Sequence, residues 1–173
     1  TIGRTEGDMT YVKYKEQVFK VSSDIISFAN DSSYNIVSKL QALVDISEVK
    51  SVTVEYNGAE HTIDITHNDS DMTLVLDGQK VDTKITQAIY KSIVGLAVDG
   101  VYKDETLGDT VMKIKYKGIK SSSDTEIEFK SIDDLYCALI RNGKTEFTIK
   151  KSKLNEFMDL FNTYVENPEK QGD

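Results

Sequence analysis

The chain has 173 residues, 39% of them hydrophobic and 29% charged, so it can bury a core as one or two small domains. Its formal net charge of −8 and pI near 4.8 argue against a general nucleic-acid or anionic-membrane binder, which needs a cationic field. The single cysteine, Cys137, permits no internal disulfide or thiolate cluster, and no apolar run approaches the roughly 18 residues of a bilayer span.

The chain opens at Thr1, not Met, on the polar lead "TIGRTEGD". The expectation is a processed or trimmed chain whose targeting segment has already gone. In "TYVKYKEQVFKVSSDIISFAN", residues 10–30, Tyr11 to Tyr14 and Val18 to Val21 read as strands around the turn Lys15-Glu16-Gln17. Ser22 or Ser23 then caps a short helix carrying Ile25, Phe28 and Ala29. Residues 32–46, "SSYNIVSKLQALVDI", place Ile36, Leu40, Leu43 and Val44 in a connector expected to be helical in part.

"SVTVEYNGAEHTIDIT", residues 51–66, is a hairpin: Val52, Val54 and Tyr56 alternate, Asn57-Gly58 turns, and Ile63 and Ile65 return. In residues 73–96, Leu74 and Leu76 alternate before Asp77-Gly78, and Asp82 or Thr83 sits where a helix cap belongs. Beyond it Ile85, Ala88, Ile89, Ser92, Ile93 and Leu96 form one helical stripe. After an acidic, glycine-containing connector the grammar returns. In residues 109–129 Met112, Ile114 and Tyr116 alternate, the serine run makes a longer loop, and Ile127 and Phe129 return. Leu139, the turn Asn142-Gly143 and the strand "TEFTI" follow, and Ser152 can cap a helix with Leu154, Phe157, Met158, Phe161, Tyr164 and Val165 on one face.

These elements predict an α+β fold of repeated units, each an antiparallel meander of about four strands followed by one helix packed on the sheet. The organisation reads as the closing half of a unit over 1–31, a connector over 32–49, one unit over 50–97, a connector over 98–108, a second unit over 109–166 and a tail over 167–173.

The segment "VKSVTVEYNG" that starts a unit, and the helix cap preceded by Val in "KVDTKI", carry a resemblance to the bacterial domain-of-unknown-function family 4340, over residues 9–165. Members of that family often have a tryptophan in the third strand, where this chain has Met72 to Leu76 and Leu135 to Leu139. The resemblance implies an extracytoplasmic module of the cell envelope, accessory to an ABC-type transport system and tethered by an N-terminal membrane helix absent from this chain. Its partners would be envelope proteins such as transporter subunits, and the resemblance carries no catalytic residues with it.

Cys137 lies in the apolar run "LYCAL" and reads as a buried, inert thiol. His61 and His67 share a strand face with Ile63 and Ile65, but six residues of strand separate them by about 20 Å, too far for one metal. His67 with Asp69 and Asp71 could bring oxygens to a cation, yet the segment lacks the Gly and distal Glu of an EF-hand loop. A solvated turn is the expectation there. The serines of residues 120–126 have no G-x-S-x-G context, and the isolated glycines 58, 78, 118 and 143 read as turn residues, not a phosphate loop. "DETLGD" and "SIDDLY" read as a linker and a turn before a strand, not an acid/base pair.

Tyr56, Tyr116 and Tyr164 fall on core stripes, and Tyr34 and Tyr102 sit in connectors. Lys144, Lys150, Lys151 and Lys153, interleaved with Glu146 and Glu156, read as local decoration of a strand and a helix start. The functional expectation is a non-enzymatic interaction module with no cofactor, no metal and no nucleic-acid partner. A small-molecule or glycan-binding groove between the units is the alternative, and an envelope-polymer hydrolase ranks last.

Overall fold

A computed structural model of the chain describes residues 1–30, 33–36, 38–68 and 71–166. It divides into two compact units, Thr1–Ser38 and Lys39–Asp173. Backbone pairing confirms the α+β class with antiparallel sheets.

The first unit is a three-stranded antiparallel sheet, β1 (Ile2–Glu6), β2 (Met9–Tyr14) and β3 (Gln17–Ser22), in sequential order. The polar lead is therefore a strand: β1 pairs with β2 through Ile2↔Val12 and Thr5↔Thr10. One face of this sheet is polar. There Tyr11 donates its hydroxyl to Glu6 (2.9 Å), and the Arg4 and Lys20 cations lie 5.8 and 5.4 Å from the ring centroid. The other face aligns Ile2, Val12 and Phe19 in one cross-strand row. The expected short helix follows as a 3₁₀ helix (Ser23–Asn30), and among the described residues the connector holds the helical turn α1 (Ser33–Ile36) and a 3₁₀ turn (Ile46–Glu48).

The second unit holds a nine-stranded sheet. Four strands run in meander order: β4 (Val49–Tyr56), β5 (Ala59–Asn68), β6 (Asp71–Leu76) and β7 (Gln79–Lys80), ahead of helix α2 (Thr83–Val94). After β8 (Gly100–Val101) come β9 (Thr110–Gly118), β10 (Thr125–Ser131), β11 (Tyr136–Arg141) and β12 (Lys144–Lys150), then helix α3 (Lys151–Glu166). The spatial order is β7-β6-β5-β4-β9-β10-β11-β12-β8, so β4 and β9 pair antiparallel at the centre, with Val54 opposite Ile114.

The tight turns follow from residue chemistry. Asn57, Asp77 and Asn142 take φ of 49°, and the glycines after them take φ of 77°, 81° and 78°. Asn, Asp and Gly tolerate the left-handed region, which two-residue hairpin turns of this hand require. Asp82 caps α2 by accepting the Lys84 amide (2.7 Å). Ser152 lies inside α3, not at its cap.

Period-2 alternation puts Val52, Val54, Ile63, Ile65, Leu74, Leu76, Met112, Ile114, Tyr116, Ile127, Phe129 and Leu139 on one buried face. Helix α3 leaves β12 and crosses the sheet far enough for Phe161 to meet His61 of β5 edge-on at 5.6 Å. Its stripe Leu154, Phe157, Met158, Phe161 and Tyr164 is buried, as are Ile85, Ile89 and Ile93 of α2. Each large side chain here contributes about 1.5–3 kcal/mol by leaving water.

Two connectors depart from expectation. Residues 98–108 include β8, which closes the β12 edge of the sheet. Residues 39–45 are an irregular strap with a turn at Gln41-Ala42, laid on the buried side of the sheet. Ala42 is the strap's core residue, whereas Leu40 and Leu43 are exposed. Among the described residues no helix is long and apolar enough to cross a membrane.

Candidate functional site

The strap is fastened through its carbonyls. Val98 donates its amide to the Lys39 carbonyl (2.9 Å), and Arg141 Nη1 donates to Gln41 (2.8 Å). The Tyr116 hydroxyl donates to Ala42 (2.8 Å), and the Tyr90 hydroxyl donates to Val44. Tyr116 and Arg141 are presented by sheet strands, and Tyr90 by α2. Burial pushes the Tyr90 phenol up to about 12, with Asp45 adding to the rise, and pushes Tyr116 up further. Both hydroxyls therefore stay protonated donors at neutral pH.

Between the strap and the β11–β12 hairpin lies a cavity of about 280 Å³. Gln41 lines its strap side, Leu139 and Phe147 form an apolar wall, and Arg141, Lys144 and Glu146 bring the charges. One N–H of the Arg141 fork is committed to Gln41, which fixes the guanidinium plane at the cavity wall.

A second cavity, about 350 Å³, lies where the β4–β5 hairpin meets the start of β9, and Glu55, Tyr56, Glu60, Val111 and Lys113 are among its walls. It opens beside the polar face of the sheet. On that face Lys115 donates to Glu55, Lys113 and Lys130 lie 3.8 and 3.9 Å from Glu128, and Thr110 donates to Glu128 (2.6 Å). The Lys115 hydrogen bond holds the Glu55 carboxyl below its usual range.

The residues singled out from sequence are dispersed over these elements. His61 Nδ1 meets Asp77 Oδ2 at 2.7 Å, and Asp77 Oδ1 accepts the Thr62 amide at 2.8 Å. This pair ties the β6–β7 turn to β5 and leans against Phe161. His67 Nε2 bonds the Val49 carbonyl (2.9 Å), so the two imidazoles serve different contacts. Asp69 and the Asp71 side chain lie outside the described residues, and with them the possible cation turn. Among the described residues no group of three or more His, Cys, Asp or Glu could hold a metal ion. Ser121–Ser123 form a 3₁₀ turn after β9. Cys137 is buried, and burial raises its thiol pKa. Tyr102 donates its hydroxyl to the Glu105 carbonyl (2.5 Å) and is half-buried, as is Tyr34.

Of the aspartates in "SIDDLY", Asp133 accepts the Leu135 and Tyr136 amides at 2.8 and 2.7 Å, and these bonds lower its pKa. The basic run is more than decoration. Lys153 Nζ bonds Asp99 (2.8 Å) and the Ala97 carbonyl (2.9 Å), while Asp99 also accepts the Lys150 amide (2.9 Å). Lys144 lines the cavity, and the preceding Arg141 anchors the strap. Sequence reasoning passed over Arg141 and Asp99, whose partners lie 100 and 54 positions away. No local pattern announces contacts of that separation.

The fold thus defines an α+β protein with a helix-covered antiparallel sheet, whose cavities include one with a net positive and one with a net negative lining. No family model matches the chain, and no curated protein or solved structure matches it either.

Proposed function

We propose that the chain is a non-catalytic, extracytoplasmic interaction module of the bacterial cell envelope, built from copies of one meander–helix unit and accessory to an ABC-type transport system. The observation that carries the repeat is topological. β4 to β7 followed by α2, and β9 to β12 followed by α3, run in the same order and meet through their first strands. The turns Asp77-Gly78 and Asn142-Gly143 hold the same place in each, before the last strand and its helix. A shorter version of the closing half recurs as β2, β3 and the 3₁₀ helix. The envelope location and the transporter partnership rest on the family resemblance of "VKSVTVEYNG" and "KVDTKI".

In this reading a partner docks in the groove between the two meanders, against Glu55, Tyr56, Glu60 and Val111. Both outer strands of the nine-stranded sheet are only two residues long, which leaves little edge for strand addition. With Glu55 paired to Lys115 and Lys113 drawn to Glu128, Glu60 and the net charge of −8 favour a partner segment bearing lysine or arginine. The test is fractionation of native cells followed by detergent extraction and affinity capture of the tagged full-length protein. Recovery in the envelope fraction with a permease or ATPase subunit supports the proposal. Recovery in the cytosol without such subunits overturns it.

A further inference from the structure

We propose that the cavity between the strap and the β11–β12 hairpin is a binding site for the carboxylate end of a small apolar acid. The site stands on its own geometry and does not depend on the docking reading.

Its charge selects the ligand class. Arg141 and Lys144 oppose the single carboxylate of Glu146, leaving one positive charge for a monoanion to balance. A phosphate dianion would overcompensate that charge beside Glu146. Among the described residues no carboxylate lies within ion-pair distance of Arg141 or Lys144, so both cations are available to a ligand. The Arg141 fork keeps donors beyond the one given to Gln41, and a planar carboxylate fits such a fork in bidentate fashion.

Shape selects the rest. Leu139 and Phe147 supply an apolar wall directly opposite one another on adjacent strands. A volume of about 280 Å³ is at the small end for a ligand pocket, which suits a short branched acid or the last residue of a chain and not a polymer. Both sources present the same chemistry, an apolar group ending in a carboxylate.

Backbone amide NMR of the full chain tests this with isocaproate, isocaproamide, inorganic phosphate, and a tetrapeptide ending in leucine with a free or amidated terminus. Saturable shifts at Arg141 and Lys144 are expected with isocaproate or the free-ended peptide, and whichever of these binds more tightly identifies the source. Lys144 takes no part in fastening the strap, so Lys144→Glu is expected to weaken the acid by about tenfold or more, the scale of one charge-assisted hydrogen bond. Glu146→Gln is expected to tighten it. Arg141→Lys keeps the charge and loses the fork, and is expected to weaken binding while circular dichroism shows the fold retained. Equal binding of acid and amide, equal binding of phosphate, shifts confined to other regions, or a Lys144→Glu affinity within about twofold of the parent would each overturn the site.

Discussion

Replacing Tyr116 by Phe removes one hydroxyl from the middle of the molecule and leaves the ring. Tyr116 is 2% exposed and its acceptor residue Ala42 is 0% exposed, so no water can take over the lost bond. The Ala42 carbonyl is left buried and unsatisfied, at about 1–3 kcal/mol. For a domain the size of Lys39–Asp173 this corresponds to a Tm lower by roughly 3–12 °C. Tyr90→Phe is the internal control. Tyr90 is 8% exposed and its bond to Val44 only part-buried, so solvent can partly replace it and the cost falls to about 0.5–1.5 kcal/mol. Urea denaturation followed by far-ultraviolet circular dichroism gives both values. Amide exchange at Leu43, whose N–H bonds the Leu40 carbonyl, reports whether the strap itself loosens. A Tyr116→Phe protein within about 0.5 kcal/mol of the parent, or less affected than Tyr90→Phe, would refute the role given to the buried hydroxyl.

Other expectations follow from the same contacts. Asp99→Asn removes the charge that joins Lys153 of α3 to the Lys150 amide, and is expected to cost about 1–2 kcal/mol in urea denaturation. Despite the opposing effect of burial, those donors hold the Asp99 carboxyl below its usual 3.8, so its stabilisation is present above that pH and is lost as pH falls through the lower folded value. The acid limb of a stability–pH curve should therefore be shallower in Asp99→Asn, and an unchanged limb would contradict the contact. The phenols act at the other end. With the Tyr90 pKa raised from 10.0 to about 12, the stability tied to its buried neutral form is complete below pH 10.0 and lost as pH rises through about 12. Ultraviolet titration should show one phenol ionising near that value in the parent and missing from Tyr90→Phe. At Gly118 an added Cβ would sit 2.5 Å from the Ser123 Cβ and 2.7 Å from the Lys120 carbonyl oxygen, so Gly118→Ala is expected to destabilise by about 1–3 kcal/mol in thermal melts.

How far the sequence was legible depended on the range of the contact. Asn57-Gly58, Asp77-Gly78 and Asn142-Gly143 announce hairpins because the backbone they need is one few other residues tolerate. Ile85, Ile89 and Ile93 announce α2 because a helix must bury one stripe. β1 was hidden because "IGRTE" is exposed at every residue and so has no alternation to read. β8 was hidden because two residues of strand leave no period at all. The strap misled for a different reason: Leu40 and Leu43 look like its core, but Ala42 is small enough to lie under the Tyr116 hydroxyl. Six of the seven residues lining the candidate cavity lie in the run "LIRNGKTEF", yet the order of that run does not announce a cavity, because only folding brings Gln41 to Arg141. Whether the charges of that run bind anything is a matter of their geometry, not their order.

The measurement that bears most directly on the account is photocrosslinking in intact envelope membranes from a photoreactive residue at Ala59, in the groove between the meanders. The expected result is an adduct with a membrane-embedded transport polypeptide, displaced by added partner and reduced by charge reversal at Glu60. An adduct formed only with cytosolic proteins, or none from Ala59 while a residue on the far side crosslinks efficiently, would contradict it.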